Sequence, residues 1–166
     1  MKRYWGMFCR ISAGLLIGLL ASATLLGADS GRRYITVQNA PGNASGPPLS
    51  AAVAVGNTLY VSGQLGIDPA THQLGADADS EARLAMEAVQ RTLQQSGLTT
   101  DDLVSVTVYC TDLTLFDRFN TVYRTFFHEN YPARAFIGVK DLVRGAHFEI
   151  SGIATMPRSG KPAAKH

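Results

Sequence analysis

Cysteine, tryptophan and histidine are scarce in this 166-residue chain, and each scarcity excludes something. Of the two cysteines, Cys9 falls in the first ten residues and leaves Cys110 alone downstream. No internal disulfide can therefore staple the rest of the chain, even in an oxidising compartment. Cys110 closes the run Val104-Ser105-Val106-Thr107-Val108-Tyr109-Cys110 on the face of the three valines, which predicts a buried, inert thiol. The single tryptophan, Trp5, belongs to the same N-terminal segment as Cys9. His72, His128, His147 and His166 show no metal-ligand spacing, so no metal is expected. There is also no phosphate-cradling glycine loop, no Gly-x-Ser-x-Gly elbow and no sustained repeat.

Positive charge is scarce where a nucleic acid would need it. From Tyr34 to Met156 there are seven Lys/Arg against twelve Asp/Glu, although the whole chain is formally +2. The excess of basic residues sits at the N-terminus, at Arg32-Arg33 and after Met156. An acidic domain repels phosphate backbones, which argues against nucleic acid as a partner.

The chain starts with Lys2, Arg3 and Arg10, then an uncharged run of seventeen residues from Ile11 to Gly27. A basic start, an apolar stretch and the small residues Gly27-Ala28 read as an export signal over 1–28. As a helix the run reaches roughly 26 Å, short of a hydrocarbon core of about 30 Å. Cleavage would deliver the remainder to the periplasm with no stable membrane association; an uncleaved N-terminal anchor is the alternative. The rest of the chain is long enough for one domain with its own core, placed at 34–156. The small, polar, basic tail 157–166 is expected to be disordered.

Within the domain, Tyr34 to Gln38 reads as a short strand, then a loop from Asn39 to Pro48. Two apolar runs, Ala51–Val55 and Thr58–Gln64, flank Gly56-Asn57 and predict a hairpin. The Ser62-Gly63 pair near its end reads as a bend or bulge. Asp77 or Asp79 can cap a helix that runs to about Ser96 and closes at Gly97, with the stripe Ala82, Ala85, Met86, Val89 and Leu93. After the valine strand, Thr114 to Asp117 resembles a capping box for a second helix rich in aromatics, among which Asn120 is the odd residue. The order is β, β, β, α, β, α, β, β. Two helices can cover one face of such a sheet, so the other face invites burial against another subunit.

Past Pro132 the side chains alternate, with Ala135, Ile137 and Val139 on one face and Arg134, Phe136 and Gly138 on the other. From His147 to Ile153 the pattern returns, with Phe148 and Ile150 opposed to Glu149 and Ser151. If both apolar sets face one core, Arg134 and Glu149 project together from the opposite face. A guanidinium can hold a carboxylate with two parallel bonds, and a nearby carboxylate can orient or deprotonate a water. A cross-strand ion pair is the plainer alternative.

Taken together, Val55-Gly56-Asn57, Val61-Ser62-Gly63-Gln64, Phe119-Asn120-Thr121-Val122-Tyr123, Pro132-Ala133-Arg134 and Glu149 resemble the RidA/YjgF family of reactive-intermediate deaminases. The resemblance spans about Ile35 to Ala154. It implies a chorismate-mutase-like α+β subunit, a mixed sheet with two helices on one face, assembled as a homotrimer with clefts between subunits. It implies hydrolysis of 2-imino acids, the tautomers of enamines, to 2-oxo acids and ammonia, with no cofactor. Arg134 would hold the substrate carboxylate and Glu149 would orient the attacking water. Ser62, the Gly63 amide and Asn120 would border the same pocket. Leu49 stands where the family commonly has a tyrosine, and Phe136 where it usually has a cysteine. Two other readings stand beside the enzyme: a trimeric module that binds a small acid without turning it over, and RNA cleavage, which the acidic domain disfavours.

Overall fold

The Gly56-Asn57 signal forms the predicted reversal. Gly56 takes a φ of +60°, a region that a Cβ disfavours, and it joins β2 (Ala52–Val55) to β3 (Thr58–Leu65) as an antiparallel pair. The computed structural model describes residues 31–36 and 48–156. The expected export segment, most of the loop expected before β2 and the tail from 157 lie outside the described residues.

β1 (Arg33–Ile35) borders β2, while Val37 and Gln38 of the expected first strand fall outside the described residues. β6 (Phe148–Thr155) enters between β3 and β4 (Leu103–Cys110), antiparallel to both. β5 (Ala133–Gly138) runs parallel to β4 at the far edge, which gives the order β1-β2-β3-β6-β4-β5. The element order is the one expected, and the fold is an α+β mixed sheet.

Helix α1 (Ala78–Gln94) starts at Asp77, whose Oδ1 accepts from the Ser80 N–H at 2.8 Å while Ser80 Oγ accepts from the Asp77 N–H at 3.0 Å. This reciprocal cap satisfies two amides that the helix itself leaves open. Gly97 ends the helix region at a φ of +73°, and the stripe from Ala82 to Leu93 is buried against the sheet. The second helix begins differently from expectation. Asp112 Oδ1 accepts from the Thr114 N–H at 2.9 Å, so a 3-10 turn (Leu113–Leu115) precedes α2 (Phe116–Tyr123). The aspartate two residues upstream takes the amide first, as Asx turns do.

Both helices lie on one face. Leu59, Val106, Val108, Phe148 and Ile150 meet Met86, Val89 and Phe119 in the buried core. Val104 departs from the predicted face. The register shifts between Leu103 and Ser105 against β6, and Val104 bulges out into solvent. Cys110 is fully buried as expected, and burial pushes its thiol up from the usual value.

β5 turns the opposite face to the core from the one expected. Arg134 lies beside Val106 and Phe136 beside Val108, so both share the helix-covered face. Ala135 and Ile137 are exposed on the open face instead. Alternation fixes which residues share a side but not which side is covered. At this edge the flank of α2 meets the sheet with aromatic rings, and Phe136 matches that surface better than Ala135.

Candidate functional site

Arg134 is positioned from three directions. β5 carries it at the sheet edge, α2 supplies Asn120, and the rings of α2 and β5 surround its guanidinium. Arg134 Nη2 donates to Asn120 Oδ1 at 2.7 Å. Its Cζ stands 4.5 Å from the Tyr123 ring centroid and 5.9 Å from those of Phe116, Phe119 and Phe136. Cation–π contacts of this kind stabilise by about 0.5–2 kcal/mol and hold the fork in one plane. Among the described residues, no carboxylate forms an ion pair with Arg134. The guanidinium therefore opens, uncompensated, onto a cleft of about 380 Å³ lined by Phe116, Asn120, Tyr123, Arg124, Tyr131 and Pro132. Such a fork suits a carboxylate.

Tyr123 is the floor of this arrangement. It is 3% exposed, and its hydroxyl has no hydrogen-bond partner among the described residues. Burial pushes its phenol up to about 12. The aromatic run of α2 divides in the fold. Phe119 and Tyr123 are buried, whereas Phe116 stands half exposed and faces Arg134.

A second cluster forms on the other face of the sheet. Glu149 lies opposite Leu65 of β3 and Tyr109 of β4, and alternates with the buried Phe148 and Ile150. The register of β3 against β6 slips between Val61 and Gln64, which places the predicted bulge at Ser62-Gly63. There the Glu149 carboxylate crosses the chain. A Cβ on Gly63 would overlap Glu149 Oε1, so any other residue there would push the carboxylate aside. Ser62 Oγ donates to the Ser50 carbonyl at 2.7 Å and Gln64 Nε2 donates to the Ser62 carbonyl at 3.1 Å. Leu49, 51% exposed, precedes Ser50 at the rim of this cluster.

The predicted residues thus fall into two groups. Arg134, Asn120 and Phe136 share the helix side of the β5 edge, while Ser62, Gly63 and Glu149 share the open face. The expectation that Arg134 and Glu149 project together is overturned, and for the reason that moved β5: Arg134 keeps company with Val106.

Sequence reasoning passed over one further carboxylate. Glu81 of α1 is almost fully buried, and its Oε1 accepts from the backbone amides of His147 (2.6 Å) and Phe148 (3.0 Å). Its Oε2 lies 2.8 Å from His147 Nδ1, which is then the donor. Glu81 ties α1 to the start of β6, just ahead of Glu149. Its only sequence signal is a charge flanking the apolar stripe at Ala82 and Ala85. Among the described residues no group of three or more His, Cys, Asp or Glu is arranged to hold a metal ion.

Residues 38–156 match the model of a protein family described as Endoribonuclease L-PSP. The chain is 38% identical over 124 residues to a human protein named 2-iminobutanoate/2-iminopropanoate deaminase, covering 74% of this chain and 89% of that one. Among solved structures it is similar to RidA from the Antarctic bacterium Psychrobacter, at 36% identity and a TM-score of 0.68, covering 75% and 99% of the two chains. It is also similar to Escherichia coli TdcF with bound serine, at 34% identity and a TM-score of 0.69, with the same coverage.

Proposed function

We propose that this chain, which belongs to the RidA/YjgF family described as Endoribonuclease L-PSP, hydrolyses reactive 2-imino acids to 2-oxo acids and ammonia. The observation that carries the reading is Arg134, a guanidinium held in plane by Asn120 and Tyr123 and left without a carboxylate partner among the described residues. It would take the substrate carboxylate. Glu149 would accept a proton from water as the oxygen adds to the C=N carbon and pass it to nitrogen, giving a carbinolamine. It would then carry the hydroxyl proton to nitrogen as the C–N bond breaks, leaving the C=O of the 2-oxo acid and ammonia. The imine carbon is already electrophilic, so positioning supplies most of the assistance.

Because Arg134 and Glu149 lie on opposite faces, one site containing both requires Glu149 from a neighbouring copy. The exposed Tyr60 and Ile137 on the open face are consistent with such packing, and a homotrimer with shared clefts is the assembly proposed. The basic start and apolar run of 1–28 support export to the periplasm. The acidic domain weighs against RNA as the substrate. The names of relatives and the serine bound to TdcF are in keeping with a small amino-acid-derived substrate.

The test is ammonia release from 2-imino acids generated in place by an amino-acid oxidase. Arg134→Ala should lower the rate by roughly a hundredfold or more, because charged hydrogen bonds contribute about 1.5–3 kcal/mol each. Arg134→Lys should restore only part. Unchanged turnover in Arg134→Ala would refute the proposal. Binding of 2-oxo acids without any rate acceleration would leave a binding module in its place.

A further inference from the structure

The cleft beside Arg134 has walls that hydrolysis itself does not need, and we infer that they select imino acids bearing aromatic or long apolar side chains over the smallest ones. The inference rests on the reading of Arg134 as the carboxylate anchor. Two aromatic side chains stand exposed in the cleft, Phe116 at 41% and Tyr131 at 59%. Both are braced from behind. Phe136 meets Phe116 edge-on at 5.0 Å and 87°, and itself packs on the buried Phe119 at 5.4 Å. Tyr131 lies nearly parallel to Tyr123 at 6.4 Å and edge-on to Phe127 at 5.6 Å.

A ring already held in place loses little rotamer freedom when a ligand covers it. Apolar surface left in water beside a charge anchor gains on burial. Phe136 is not among the lining residues. Its bulk is spent behind Phe116, where it fixes the wall without closing the cleft. Arg124 also lines the cleft, so a side-chain carboxylate is the competing chemistry.

The experiment compares kcat/KM for oxidase-generated imines of phenylalanine, leucine, alanine and glutamate, with Kd for phenylpyruvate and pyruvate measured in parallel. The phenylalanine-derived imine should be favoured over the alanine-derived one by about tenfold or more. Tyr131→Ala and Phe116→Leu should each pull that ratio toward one, and Tyr131→Phe should keep it, since the ring remains. If nothing is turned over but phenylpyruvate binds about tenfold tighter than pyruvate, the deaminase reading fails and the selection stands. Equal constants for large and small side chains in both readouts overturn the inference. So does a preference for the glutamate-derived imine, or a ratio that Tyr131→Ala and Phe116→Leu leave unmoved.

Discussion

Arg134 and Glu149 belong to opposite faces of one six-stranded sheet. Arg134 lies beside Val106 on the helix-covered side and bonds Asn120 of α2. Glu149 lies beside Tyr109 on the open side, with its carboxylate over Gly63. If both act on one imine, the two must come from different copies of the chain.

This arrangement predicts complementation. Arg134→Ala and Glu149→Gln, each nearly inactive alone, should regain activity when co-expressed. With random trimer mixing, about a quarter of the sites pair an intact Arg134 with a neighbour's intact Glu149. The check is ammonia release from the mixed preparation, with trimer mass confirmed by light scattering. A mixture as inactive as its parents would refute the shared site.

Asn120 occupies one N–H of Arg134 through a neutral oxygen. Asn120→Ala should weaken 2-oxo-acid binding about tenfold by loosening the fork. Asn120→Asp should do worse, because a carboxylate at the same place would occupy the guanidinium and compete with substrate. Calorimetric titration with a 2-oxo acid checks the order, and Asp binding better than Ala would contradict it.

Gly63→Ala should displace Glu149, since a Cβ there would overlap its Oε1. The atoms that must move are the end of a flexible, half-buried side chain, so stability should fall by less than the ~1–3 kcal/mol of core overpacking. Turnover should fall further than acid binding, because Arg134, the proposed carboxylate anchor, lies on the other face and is untouched. Urea unfolding together with the split between kcat and Kd makes the test, and unchanged kcat would separate Glu149 from the chemistry.

Tyr123 carries a pH signature. Its phenol is raised from 10.0 to about 12, chiefly by burial. Between those values the unfolded chain has released the proton and the folded one has kept it, so stability must fall as pH rises. Its contribution is whole below pH 10 and is lost as pH passes about 12. Tyr123→Phe should flatten that decline, and should not destabilise at pH 8, since it also removes a buried hydroxyl without a partner. Urea unfolding at about pH 8 and pH 11 measures both effects.

Much of the domain was legible in the chain itself. Gly56-Asn57, the Asp77 cap, Gly97 and the stripe from Ala82 to Leu93 name the hairpin and α1, because turns and helix ends depend on local backbone chemistry and helix faces on a fixed period. The two halves of the candidate site were legible as residues too, through motifs that specify side-chain types. Alternation likewise grouped Arg134 with Phe136, and Glu149 with Ser151.

Which side of the sheet each group faces was decided only by tertiary structure. A strand's period of two is symmetric between its faces, and the parallel register that sets Arg134 beside Val106 is a long-range pairing with no local signal. The buried bonds of Glu81 to His147 and Phe148 span more than sixty residues for the same reason. Side-chain chemistry and local turns are written residue by residue; the face a strand presents is chosen by what packs against it.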